Sequence, residues 1–257
     1  MSISPTAVRQ LLTELFDGQR SVLTPSFEQW LTTSKAFAAF AQRYQQKIRK
    51  KIRICRDTDE RYNLYCELRT AYILLQSPRY DVAYEPAGLR AGRSADFAVS
   101  LQERTLFHVE VTRLRGGQGE GDTPLENQQR SARRLTDVVC DKFGQFSPTA
   151  PTLLWMWHET PALHTVDIGA LLVELKRRAE QRDPELFARH GFAKPADFIQ
   201  HYQRLSAILL LNLREPTDNN PSVLWHNRDA RHPLPTKVAT TLRTLIAADP
   251  SLPFPGK

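Results

Sequence analysis

The sequence predicts an α/β protein with a mixed central sheet, helices on both faces and a helical N-terminal extension. Three observations point there. Short β-like runs cluster at 82–85, 95–101 and 105–113. A long amphipathic helix at 124–146 follows and leads into an apolar run, 152–157, that reads as a strand buried on both faces. Helical stretches at 168–181, 184–204 and 235–247 then surround a second apolar run at 207–211 and a short one at 223–225. Clustered strands followed by a crossover helix into a buried strand give a mixed sheet covered on both sides.

The elements divide the chain into a basic helical extension (1–57), an α/β domain (58–248) and a Pro-rich tail (249–257). Residues 5–56 read as helical because Val8, Leu11, Leu12 and Leu15, and again Phe37, Phe40 and Tyr44, recur at helical spacing. The run 47–56 is strongly basic with interleaved isoleucines. Its Lys47, Arg49, Lys50, Lys51 and Arg53 are either a phosphate-contacting surface or a solvated helix face. A helix over 59–76 carries the apolar stripe Tyr65, Leu68, Tyr72 and Leu75, and Pro78 stops it. Trp155 and Trp157 lie inside a buried-strand pattern and read as core.

Composition narrows the partners. The net charge of +7 and pI near 9.5 are compatible with a polyanion. Cys55, Cys66 and Cys140 show no CxxC spacing, so a zinc cage is not expected and free thiols in a reducing compartment are. The N-terminus lacks a secretory pattern, and no apolar run approaches the ~20 residues that span a bilayer. A cytoplasmic protein without membrane contact is the expectation. The glycines at 116–119 are not followed by GK[ST], so they form no P-loop. No HExxH or local Ser/His/Asp signature occurs.

The hairpin at 95–113 concentrates the chemistry. Phe107, Val109 and Val111 share one face, and His108, Glu110 and Thr112 the other. A three-residue loop at 102–104 sets residue 101 against 105. Counting outward then sets Asp96 directly opposite Glu110 on one face. Like charges facing each other destabilise a sheet, and a divalent cation removes the conflict. A one-residue slip would separate the acids to opposite faces. On the helix 124–146, Lys142 lies four residues after Val138 and four before Phe146, on or beside the inward face. Its ammonium must reach solvent or find an acid. Gln145 lies one turn further.

These pieces resemble the PD-(D/E)XK (restriction-endonuclease-like) nuclease superfamily, whose core runs αβββαβ. The resemblance covers roughly residues 58–158 and rests on Glu67 in the first helix, Asp96 in Ser94-Ala95-Asp96-Phe97 and Glu110 in His108-Val109-Glu110-Val111-Thr112. Ala95 replaces the usual Pro, and Thr112 stands where the motif has Lys. In this superfamily the lysine can migrate to the following helix, which makes Lys142 the candidate, with Gln145 as helper. The resemblance implies phosphodiester hydrolysis with Mg²⁺ (or Mn²⁺) held by Asp96, Glu110 and the Val111 carbonyl, and Glu67 as an auxiliary acid. It implies a nucleic-acid partner, DNA ahead of RNA, and is compatible with a homodimer. Thr112 leaves open the alternative of a catalytically degenerate fold that binds nucleic acid or a protein partner.

Overall fold

A computed structural model describes residues 4–86, 95–115, 123–159, 163, 166–213 and 222–249. The Gly-rich run 116–119, Ser94 and residues 250–257 of the tail lie outside them. The protein is mixed α/β. Four short helices open the chain: α1 (Pro5–Phe16), α2 (Thr24–Thr33), α3 (Lys35–Arg43) and α4 (Gln45–Ile54). The expected helical stretch is therefore broken into pieces. Ser4 and Ser34 cap α1 and α3 through side-chain oxygens, and Asp17 ends α1 in the left-handed conformation.

Next come α5 (Thr58–Leu74), β1 (Asp81–Tyr84), β2 (Phe97–Leu101), β3 (Arg104–Leu114), α6 (Pro124–Lys142) and β4 (Thr152–His158). This is the order helix, three strands, helix, strand. The remainder is α7 (Ile168–Glu180), α8 (Pro184–His190), α9 (Pro195–Tyr202), β5 (Leu205–Asn212), β6 (Val223–His226) and α10 (Thr236–Ala247). The stretch 184–204 is two helices because Gly191 takes φ 69°, a left-handed stop that glycine adopts without strain.

Among the described residues, six strands stand in sequence order in one sheet. The β1–β2, β2–β3 and β5–β6 pairs are antiparallel, while β3–β4 and β4–β5 are parallel. Helix α6 crosses between β3 and β4, and α7–α9 between β4 and β5. Strand side chains alternate between two cores. Phe97, Val109, Val111, Trp155, Trp157 and Leu209 face α1–α5 and α10, whereas Leu114, Leu154, Met156, Ile208 and Leu210 face α6–α9. Every residue of β4 is buried, as its apolar run predicts. The N-terminal helices share the first core. Trp30 of α2 lies 5.6 Å from Tyr72 of α5, stacked, and Phe40 of α3 lies 5.7 Å from Tyr84 of β1. Among the described residues, no helix is long and apolar enough to cross a membrane.

The β2–β3 hairpin reaches the expected register by an unexpected route. Its turn has two residues, Gln102 and Glu103, both at positive φ (49° and 67°), and Leu101 pairs with Arg104. Continued outward, that register would set Asp96 on the face away from Glu110. A bulge between Val99 and Ser100 shifts it by one residue, so Val99 pairs with Phe107 and Phe97 with Val109. Asp96 and Glu110 come next on one face. The turn costs energy, since a left-handed conformation disfavours any side chain by about 1 kcal/mol or more. Glu103→Gly should therefore raise stability by about 0.5–1 kcal/mol in urea unfolding. An unchanged or lowered midpoint would show that the turn is not strained.

Candidate functional site

A cleft of about 310 Å³ opens where β2 begins and β3 runs on past it. Its walls are Asn63 and Glu67 of α5, Asp96, the β3 residues Val111, Thr112 and Arg113, Arg115 just beyond, and Lys142 of α6. Each is placed by local structure. With β2 starting at Phe97, the edge of β3 beyond Val109 has no backbone partner on that side among the described residues. The Asp96 carboxylate fills the gap and accepts the Val111 N–H at 2.7 Å. The Val111 side chain lies in the opposite core, so Val111 offers the cleft its backbone. In an extended strand the N–H and C=O of one residue point to the same edge, so the Val111 carbonyl faces the Asp96 side as well.

Glu110 lies just beneath this surface at 2% exposure. Lys142 Nζ donates to Glu110 Oε1 at 2.7 Å, and Oε2 makes no hydrogen bond among the described residues. The capping box of Thr123 and Glu126 fixes the start of α6, and Leu135, Val139 and Cys140 hold it on the sheet. Its last residue is Lys142, directly over Glu110. Burial pushes the Asp96 carboxyl well above the usual carboxylate range, and the charges of Glu110 and Glu67 push it further. Burial also raises the Glu110 carboxyl, against the pull of the Lys142 ammonium.

The acids and the lysine converge, but other candidates fall elsewhere. The α6 helix ends at Lys142 and tightens into a 3-10 turn, Phe143–Gln145. The tighter turn carries Gln145 out of the residues that line the cleft, and its buried Oε1 has no hydrogen-bond partner among the described residues. Glu67 is at the cleft wall, but Lys51 Nζ already holds it at 2.6 Å, and the same ammonium meets Glu85 at 2.8 Å. The basic run of α4 is mostly spent inside the molecule. Arg49 and Arg53 both grip Asp17, and Lys47 donates to the Tyr84 and Glu85 carbonyls. Of the five basic residues proposed as a phosphate-contacting surface, Lys50 alone is exposed without an ion-pair partner among the described residues.

Three wall residues were not anticipated: Asn63, Arg113 and Arg115. A signal existed for the first, because Asp59, Asn63 and Glu67 recur every four residues along one edge of α5. Arg113 does point to the α5 face, as strand parity requires. It lines the cleft because the cleft wraps around the end of β3.

The donor set suits a hard cation. Two carboxylates and a backbone carbonyl leave room for the waters that Mg²⁺ retains, and the unpartnered Glu110 Oε2 is an oxygen in want of a ligand. Among the described residues, no three His, Cys, Asp or Glu side chains gather closely enough to hold a metal unaided. Comparison with protein-family models, curated proteins and solved structures finds no match to this chain.

Proposed function

We propose that this protein is a metal-dependent nuclease of the PD-(D/E)XK kind, hydrolysing phosphodiester bonds at the cleft between α5, β3 and α6. The observation that carries the reading is the 2.7 Å contact of Lys142 with Glu110, one residue from the Val111 N–H that Asp96 accepts. A cation from one helix meets a strand acid beside a second carboxylate just ahead of β2. Asp96, Glu110 and the Val111 carbonyl would hold Mg²⁺ or Mn²⁺, which supplies a water of lowered pKa and a Lewis acid for the phosphate. Lys142 orients that water and balances charge that develops on the phosphoryl oxygens. Glu67 steadies the wall through Lys51. The Thr112 hydroxyl lines the cleft and cannot supply the charge of the usual lysine.

Calorimetric titration with Mn²⁺ tests the reading without knowledge of the substrate. Wild type is expected to bind, and Asp96→Asn to lose binding while gaining about 2–4 °C in the metal-free midpoint. The gain arises because a carboxyl raised in the folded state costs stability as pH climbs from its ordinary pKa to the raised one. It should vanish below about pH 4.

A second reading rests on the same contact. If the Lys142–Glu110 pair is only structural, the fold is catalytically degenerate and serves as a nucleic-acid- or protein-binding module. Wild type would then bind no Mn²⁺.

A further inference from the structure

Two arginines at the end of β3 are arranged in a way that the metal site does not use. The Arg113 side chain is 3% exposed, sits over Tyr62 at 4.8 Å from the ring centroid and ion-pairs with Asp59. Glu159 ion-pairs with its Nε at 3.5 Å, and among the described residues neither Nε nor Nη1 makes a hydrogen bond. Buried donors without acceptors are costly and uncommon in folded proteins. Arg115, half-exposed, reaches the same Asp59 at 3.1 Å. Both arginines line the cleft beside Asn63. Arg134 of α6 donates to the Arg115 carbonyl at 2.8 Å, which ties this strand end to the helix that bears Lys142.

One carboxylate thus bridges two guanidiniums at the mouth of the 310 Å³ cleft. Planar forked donors match phosphate as well as carboxylate. We infer that Arg113 and Arg115 form a phosphate subsite that holds a backbone phosphate next to the scissile one, and that Asp59 occupies it as an internal surrogate until nucleic acid arrives. This deepens the nuclease reading and rests on it for the identity of the ligand. It also replaces the α4 run as the place where the nucleic-acid backbone is gripped.

The subsite is tested by fluorescence anisotropy with a labelled 12-nucleotide single-stranded DNA in EDTA, where no cleavage occurs and no metal contributes. Arg115→Ala is expected to weaken binding about fivefold to tenfold and to lower the salt slope by about 0.7, the loss of one phosphate contact. Asp59→Asn should tighten binding severalfold, because the competing carboxylate is gone. Arg20→Ala, an exposed cation away from the cleft, controls for net charge and should match wild type. A purely structural Asp59 would lower the thermal midpoint without improving affinity. That result, wild-type affinity in Arg115→Ala, or no DNA binding by wild type overturns the subsite. Mn²⁺ binding that depends on Asp96 would then still uphold the metal site. Conversely, DNA binding governed by Arg115 and Asp59 without Mn²⁺ binding upholds the subsite and removes the nuclease reading.

Discussion

Lys142→Met is expected to lower phosphodiester cleavage by about 10²–10³-fold, the usual cost of removing one preorganised group that stabilises transition-state charge. Mn²⁺ binding should survive, since both carboxylates and the Val111 carbonyl remain. The same substitution leaves Glu110 buried beside a methyl group. Glu110 already ionises less readily than a free glutamate because of its burial, and Lys142 is the group that opposes this. Without Lys142 the folded-state pKa rises further above the unfolded one. The folded protein then binds more protons than the unfolded chain, and stability falls as pH climbs through that window. The variant should match wild type near pH 4 and fall behind by about 2 kcal/mol near pH 8. This is below the 3–5 kcal/mol of a fully buried pair because Lys142 is a quarter exposed. Cleavage at the wild-type rate would remove Lys142 from the mechanism. A stability deficit that is equal at both pH values would show that Glu110 is not the group it serves.

The candidate site was legible in unequal parts. Strand parity gave the face of Glu110, because alternation of Phe107, Val109 and Val111 has only one solution when one side is core. Lys142 was legible because a cation on an apolar helix face must find a partner. The position of Asp96 followed from a loop length that the structure does not have. Gln102-Glu103 carries no glycine or asparagine to announce a two-residue turn, and no local pattern announces the bulge at Val99 and Ser100. The two departures offset each other and restore the facing acids. The α4 run misled for a different reason. Its partners Asp17, Glu67 and Glu85 lie elsewhere in the sequence, so the charges looked free when these three carboxylates already engage four of the five cations. Ion-paired cations release fewer counterions, which makes that helix a poorer phosphate track.

The fold explains why the acids can face each other at all. Their mutual repulsion is set against two cores that grip β2, β3 and β4 from either side, and against the parallel β3–β4 ladder, which runs from His108 to Leu114. Strain of this kind persists where surrounding structure over-determines the geometry. The N-terminal helices contribute to that rigidity. Lys51 braces Glu67 from behind, and the Tyr84 ring beneath it lies 4.8 Å from the ammonium. Truncation before α5 would therefore disturb the cleft wall as well as the core.

A salt bridge remote from the cleft holds the rest of this frame. Asp249→Ala should destabilise the protein by about 3–5 kcal/mol, roughly 10 °C in thermal midpoint. Arg69 of α5 is 1% exposed, packed over the Trp157 ring at 4.7 Å. Its Nε and Nη2 both donate to Asp249 Oδ2, at 3.1 and 2.9 Å. Asp249 follows α10 and its side chain is 4% exposed, so this contact fastens the end of the chain's last described helix to the helix that carries Asp59, Asn63 and Glu67. Removing the carboxylate strands a guanidinium that cannot deprotonate in a site that excludes water. Replacing both partners is a different matter. Arg69→Met with Asp249→Ala deletes the buried charge along with its counter-ion, and well-packed apolar substitutes for buried pairs are often neutral. The double variant should recover most of the loss. If it is as unstable as Asp249→Ala alone, then packing of Arg69 on Trp157, rather than the ion pair, fixes α10 to α5.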